Sequence, residues 1–271
     1  MAKVVACIVA RTVSTRLHLK VLRDIAPGHS MIEFLIERVK AVNEIDEVYL
    51  CTSTESVDDI MEDVAARSGV MLYRGSSDEV IQRMIAVGEI EDADVILRIT
   101  GDNPLSSTEY FAAQIQFLLE NELDYVRVVD VPIGASTEVI SFNALQDCYS
   151  KMDKSISEYL MIFLFEPNDY KCGVIKVFEE DYSNYSVTVD TPLDLERTKG
   201  VIGAIKDTPA SQIRLKQILD IYQNDSISLA AKTIGVSDTV KYPYNKVISF
   251  EEFQADMARR KNASKLLKLY E

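Results

Sequence analysis

The chain opens on a continuous apolar run, Val4–Ala10, and then alternates short β-branched stretches with longer segments of helical periodicity. Lys3–Val9, Glu47–Cys51, Val70–Tyr73, Asp94–Ile99 and Asp124–Val129 predict strands. Ser30–Val42 carries Met31, Phe34, Leu35, Val39 and Val42 at helical spacing, with Ser30 as N-cap and Glu33 at the capping-box position. A second helix runs from Ser56 or Val57 to Ser68 and ends against Gly69. Asp78–Glu91 and Ser107–Glu122 predict two more. Repeated β-α-β-α order predicts an α/β fold, a mainly parallel sheet with helices on both faces. Such sheets hold ligands beyond the carboxyl ends of their strands.

Past Val131 the pattern changes. Thr137–Ile140, Gly173–Phe178 and Ser186–Val189 predict strands, and Asn143–Tyr149 and Ser155–Phe165 predict helices. Thr191 followed by Pro192 is a helix start, with Pro at the first position. From Pro209 onward the pattern is mostly helical, over Ser211–Tyr222, Ser228–Ile234 and Ser249–Tyr270, the last with Ser249 and Glu252 at capping-box spacing. Gly235–Lys246 is the plausible linker. Two units are expected, an α/β body over residues 1–206 and a helical C-terminal extension over 207–271.

Composition narrows the class. An apolar share of 47% with 10 Gly and 7 Pro excludes collagen-like and disordered chains. No apolar run approaches the ~20 residues of a membrane span. The segment MAKVVACIVA reads as a first strand and not a signal peptide, so a cytoplasmic protein is expected. A net charge of −14 repels nucleic acid and anionic membranes, and neither is an expected partner. Against that sign, Arg11, Arg16, Lys20 and Arg23 gather after the first strand. A second basic cluster, Arg259-Arg260-Lys261 with Lys265 and Lys268, reads as a solvated face. Cys7, Cys51, Cys148 and Cys172 are widely spaced without a CxxC and read as buried small hydrophobes. The 2 His argue against a histidine metal site.

Three segments carry chemistry. Ala10–Leu22, directly after the first strand, combines hydroxyls, backbone N–H groups, Arg and Lys, the means of cradling a phosphate chain. It is neither a GxxxxGK[ST] loop nor a GxGxxG fingerprint, which removes the NAD-dependent dehydrogenase reading. Arg98–Leu105 places Asp102 at a strand end, after Gly101 and before Pro104. That position suits a hard cation such as Mg²⁺, and equally a helix-capping turn. Thr188–Glu196 places Asp190 at another strand end, where a second carboxylate could meet the first, or cap the helix at Pro192.

The order of ARxxSTRLxxKVL, YRGSSDEV, RITGDNPL, TEV and TVDTPxDLE resembles the spore coat polysaccharide cytidylyltransferase-like group. It is similar, more distantly, to the 3-deoxy-manno-octulosonate and acylneuraminate cytidylyltransferases. The resemblance spans roughly residues 3–205. It implies a Rossmann-like nucleotide-diphospho-sugar transferase fold, with nucleotidyl transfer from CTP to a sugar-type small-molecule acceptor and release of pyrophosphate. It also implies Mg²⁺ as cofactor and a homodimer. Carried over by position, it implies nucleotide binding by Ala10, Arg11, Ser14, Arg16, Lys20, Arg74, Ser76 and Thr100. Arg16, Lys20 and Asp102 become the catalytic set, Asp102 and Asp190 the metal side, and Glu138, Glu158 and Tyr159 the acceptor side.

Two departures stand out. The family usually has Pro-Gly before the loop lysine, where this chain has His18-Leu19. The loss of Gly removes the residue that tolerates positive φ. The run that usually reads Arg-Glu-His-Val-Thr is here Ser157-Glu158-Tyr159-Leu160-Met161. These departures keep two alternatives open: a catalytically altered nucleotide-binding protein of the same fold, and a cytidylyltransferase acting on a phosphate-bearing non-sugar acceptor.

Overall fold

The computed structural model describes residues 2–14, 16–154, 160–224, 239–243 and 246–270. The first half runs β1 (Val4–Val9), the hairpin strands β2 (Asp24–Ala26) and β3 (His29–Ser30), α1 (Met31–Lys40), β4 (Glu47–Ser53), α2 (Ile60–Ser68), β5 (Met71–Gly75), α3 (Val80–Glu91), β6 (Val95–Thr100), α4 (Phe111–Glu120) and β7 (Tyr125–Val129). Then follow β8 (Glu138–Ser141), α5 (Phe142–Lys151), α6 (Leu160–Leu164), β9 (Cys172–Lys176), α7 (Pro192–Ala204), α8 (Leu215–Gln223), β10 (Thr239–Tyr242), β11 (Lys246–Ser249), α9 (Phe250–Ala263) and β12 (Lys265–Lys268).

The main sheet has eight strands in the order β12-β9-β7-β8-β6-β1-β4-β5. All run parallel except β8, which is antiparallel to both β6 and β7. The chain leaves β1 toward β4 and β5 and then returns to β6 on the other side. The loops after β1 and β6 therefore flank a switch in strand order, the place where open α/β sheets form a ligand crevice.

β1 shows why its sequence is apolar throughout. Val4, Ala6 and Ile8 face one hydrophobic cluster with α1, α2, α4, α7 and α8, while Val5 and Cys7 face a second with α3, α5 and α6. A strand covered on both faces has no solvent side to mark with polar residues. The predicted caps form as read: Ser30 and Glu33 make a reciprocal capping box, Thr191 and Asp194 make another, and Gly69 closes α2 at φ 60°. All four cysteines are buried and free. Among the described residues, no helix is long and apolar enough to cross a membrane.

The C-terminal region departs most from expectation. The predicted helix Ser249–Tyr270 ends at Ala263, and the chain then becomes β12, pairing parallel with β9 from Lys265↔Gly173 to Lys268↔Lys176. The extension is helical in α8 and α9 but contributes an edge strand to the body. Its basic cluster is solvated at Arg259, Lys265 and Lys268 but not at Arg260. Arg260 is 5% exposed and donates to the carbonyls of Ile162 (2.7 Å) and Phe165 (2.6 Å), because α9 packs against the end of α6. Ser186–Val189 forms a single bridge, Ile133↔Ser186, rather than a strand. Residues 155–159 of the predicted helix Ser155–Phe165, all of Ser228–Ile234 and half of the linker Gly235–Lys246 lie outside the described residues; Thr239–Tyr242 of that linker is β10.

Candidate active site

The loop after β1 is pinned at its start. The Thr12 N–H and hydroxyl both donate to Asp58 Oδ1, at 2.7 and 2.6 Å, and the Ser53 hydroxyl donates to the other carboxylate oxygen. Burial pulls the Asp58 carboxyl upward, but these hydroxyl and N–H donors outweigh it and hold the group below its ordinary value. Farther on, the Leu17 N–H donates to Ser14 Oγ at 3.3 Å. Leu19 then takes φ 51°, ψ 37°, and a 3₁₀ turn begins at Lys20. The left-handed conformation that a glycine would take freely is thus kept by a leucine, and Lys20 still turns inward.

The end of β6 and the irregular segment before α7 bring the carboxylates to that lysine. Gly101 donates its N–H to the Val9 carbonyl at 2.8 Å, and a Cβ there would stand 2.7 Å from the Ala10 Cβ, so only glycine lets the loops after β1 and β6 approach this closely. The Val189 N–H donates to the Asp102 carbonyl at 3.0 Å, tying the segment before α7 to the end of β6. Lys20 Nζ then lies 3.0 Å from Asp102 Oδ2 and 3.0 Å from Asp190 Oδ1, and Arg16 Nη2 lies 2.8 Å from the same Asp190 oxygen. Asp190 is held from below. Its N–H donates to Asp194 Oδ2 at 3.1 Å, and Asp194 pairs at 2.8 Å with Arg197, both buried. Burial raises the Asp194 carboxyl, but the Thr191 hydroxyl, the Arg197 guanidinium and the N–H groups of Asp190 and Thr191 hold it below its ordinary value.

These residues line a cleft of about 750 Å³ at the switch point. Ala10, Arg11, Ser14, Arg16, Lys20, Thr100, Asp102 and Asp190 are all brought together in its wall. Its charged lining has five basic and three acidic side chains, against the acidic sign of the whole chain. Arg74 and Ser76 are not in the wall. Arg74 turns to α2, where it pairs with Asp59 (2.6 Å) and Glu62 (2.5 Å), and Ser76 Oγ accepts the N–H groups of Asp78 (3.2 Å) and Glu79 (3.3 Å). The segment meets the cleft through Ser77 and Asp78 instead. Arg83 is a lining residue that sequence reasoning missed. It is buried, donates to the Cys51 carbonyl at 3.3 Å, and has its charge disfavoured by burial. Its position in the middle of an apolar helical face was the available signal.

A second cavity of about 500 Å³ adjoins the first and shares Arg98 and Thr100 with it. Glu138 lines it, paired with Arg98 and accepting the Tyr125 hydroxyl at 3.1 Å. Burial works against the Arg98 charge, and Glu138 outweighs it, leaving the guanidinium more firmly protonated than usual. The register Arg98↔Glu138 and Arg127↔Glu138 puts all three side chains on one face, so β8, the reversed strand, delivers the glutamate between two arginines. Glu158 and Tyr159 lie outside the described residues. Among the described residues, no group of three or more His, Cys, Asp and Glu is placed to hold a metal ion. The set that could hold a cation is Asp102 with Asp190.

The family model for cytidylyltransferases matches residues 5–234. An uncharacterized protein of Methanocaldococcus jannaschii is 31% identical over 221 residues, 80% of this chain and 89% of the relative. The spore coat polysaccharide biosynthesis protein of Bacillus subtilis is 29% identical over 224 residues, 79% of this chain and 93% of the relative. Among solved structures, a cytidylyltransferase from Leptospira borgpetersenii superposes with a TM-score of 0.78 at 25% identity, covering 87% of this chain and 99% of that one.

Proposed function

The chain belongs to the cytidylyltransferase family, a family of nucleotidyltransferases, and from that premise we propose that it transfers CMP from CTP to an anionic small-molecule acceptor, in the first place a sugar acid. The observation that carries this is the convergence of Lys20, Arg16, Asp102 and Asp190 within 3.0 Å contacts at the switch point, although they come from three distant parts of the chain. In the reaction an acceptor oxygen attacks the α-phosphorus, the bond from that phosphorus to the bridging oxygen breaks, and pyrophosphate leaves with the electron pair. Negative charge builds on the α-phosphoryl oxygens and the leaving group. Lys20, Arg16 and Arg11 oppose that charge, and the loop holds them in place before substrate arrives. A sugar hydroxyl must also lose its proton to a carboxylate or to water, whereas a phosphate acceptor needs no base.

Mg²⁺ fits the donor set: two carboxylates at one point, in a cleft sized for a triphosphate, are what this ion takes together with phosphate oxygens and water. Asp102 and Asp190 would hold it, and when bound it supplies further neutralisation of the triphosphate. Lys20 pairs with both carboxylates. The Bacillus relative's role in polysaccharide synthesis supports a sugar-type acceptor, and Arg127, which has no carboxylate partner among the described residues, supports an anionic one.

The test is pyrophosphate release from CTP and Mg²⁺ over a panel of sugar acids and sugar phosphates. Asp102→Ala is expected to lower turnover by about 10²–10³-fold, and chelation of Mg²⁺ to abolish it. Undiminished turnover in the variant removes the assignment.

A further inference from the structure

The second cavity has a wall that the recognised motifs do not supply. Phe250, Phe253, Gln254, Met257, Ala258 and Lys261 all line it. They recur at three- and four-residue spacing, so a single face of α9 is turned to the cavity. This helix lies beyond residue 234, where the match to the cytidylyltransferase family ends.

α9 is fixed rather than loosely laid on. Arg260 is anchored to α6 carbonyls and to Asp256 (2.8 Å), and Arg259 pairs with Glu166 at 2.8 Å. Lys261 Nζ reaches Asp130 Oδ1 at 2.7 Å, at the end of β7, and β12 stitches the following residues to β9. The cavity side is less complete. Phe253 and Met257 are only half-buried and line the space together with Met161 and the buried Phe165. Arg127 lies over the Phe165 ring, with its guanidinium carbon 5.5 Å from the centroid, and donates to the Met161 sulfur. The space therefore offers a cation and apolar surface beside it, and it adjoins the first cleft through Arg98 and Thr100.

We infer that α9 is the acceptor-selecting wall: Phe253 and Met257, with Phe165 and Met161, take an apolar substituent of the acceptor, while Arg127 takes its anionic group. The inference rests on the CMP-transfer reading and names the class of acceptor within it, a small anion with a methyl-bearing or alkyl portion rather than a uniformly hydroxylated one. Burying the half-exposed apolar surface of Phe253, Met257 and Met161 favours such a ligand, and a wall that is already held in place loses little freedom on binding it.

The probe is 1-anilinonaphthalene-8-sulfonate, which shares with the proposed acceptor one anionic group beside an apolar portion, titrated by fluorescence, with CTP–Mg²⁺ binding followed in parallel by calorimetry. The wild-type protein is expected to bind the dye saturably at one site. The double variant Phe253→Ala, Met257→Ala is expected to bind it at least about tenfold more weakly, and Arg127→Gln at least about fivefold. Met257→Leu should restore the single-site affinity lost in Met257→Ala. CTP affinity should stay within about twofold in every variant, which also shows that each is folded. For any acceptor that turns over, the double variant should raise the acceptor KM and leave the CTP KM unchanged. Intact CTP binding with dye affinity unaltered in the double variant, or no saturable dye binding by the wild type, overturns the inference. A wild-type protein that does not bind CTP–Mg²⁺ overturns the underlying CMP-transfer reading instead.

Discussion

The two adjoining cavities are built on opposite principles. The larger one is a charged crevice made by loops at the carboxyl ends of β1 and β6 and by the segment leading into α7, and its key contacts are ion pairs of 2.8–3.0 Å. The smaller one is walled by a helix and by aromatic and thioether side chains, with Lys261–Asp130 and Arg98–Glu138 paired in its lining and Arg127 left as the cation without a carboxylate partner among the described residues. A triphosphate has the same charge and shape in every reaction that uses it, and a preset cradle of ions suits it. An acceptor varies from enzyme to enzyme, and a wall of adaptable Met and Phe is a cheaper place to change specificity. The boundary between the two is Arg98 and Thr100, which belong to both.

Removing Lys20 should break the charged side of this comparison most severely. Lys20→Ala leaves Asp102 and Asp190 facing each other without the cation that now joins them. Turnover in the pyrophosphate-release assay is expected to fall by about 10²–10³-fold, with CTP binding weakened and dye binding in the second cavity intact. If dye binding falls equally, the two cavities are not separable.

Arg260→Ala strikes the other side. It removes a buried guanidinium from two carbonyls and from Asp256, and the expected loss of stability is about 3 kcal/mol, read as a lower urea midpoint. The same variant should loosen the acceptor wall while the CTP affinity of the folded protein holds. Loss of CTP affinity as well makes α9 part of the general framework rather than a selecting wall.

How much of this was legible follows from what is local. The βα alternation, the capping boxes at Ser30 and Thr191 and the Gly69 cap depend on neighbours in sequence, and they appear where periodicity puts them. Asp102 was legible through its place after a strand end, and Arg16, Lys20 and Asp190 through motif order, since Asp190 follows a single bridge and not the predicted strand. Strand direction has no local signature, so nothing in Glu138–Ser141 announced that β8 runs backwards. Lys265–Lys268 carries two leucines between lysines, a pattern that suits a helix as well as a strand, and pairing with β9 decides it. The clamp of Thr12 and Ser53 on Asp58 was hidden for another reason. An aspartate just before α2 reads as a surface charge, and only the fold shows that it is 1% exposed.

Asp194→Asn tests the support under Asp190, with an expected cost of about 2 kcal/mol at pH 7. The sign with pH is fixed by the direction of the shift. The folded carboxyl titrates below its ordinary value, so its contribution is complete above about pH 5 and is lost as the pH falls from the unfolded value near 3.9 through the folded one. The stability gap between wild type and Asp194→Asn should be constant from neutral pH to about 5 and narrow below 4 in denaturant titrations. A gap that widens in acid contradicts the carboxylate's role.

The smallest effect is expected at Leu19, where the charged crevice keeps a conformation its sequence does not favour. A leucine in the left-handed region costs about 1–2 kcal/mol relative to a residue that enters it freely, and Leu19 is exposed enough to lose little packing when truncated. Glycine removes that strain but adds about 0.5–1 kcal/mol of unfolded-state freedom. Leu19→Gly should therefore raise stability by only about 0.5 kcal/mol and leave the Lys20 contacts and CTP affinity nearly unchanged. Leu19→Val should go the other way, since branching at Cβ crowds the left-handed backbone further. If Leu19→Gly instead lowers stability while CTP affinity rises, the leucine is restraining the loop, and the departure from Pro-Gly has tuned the grip on the triphosphate rather than merely been tolerated.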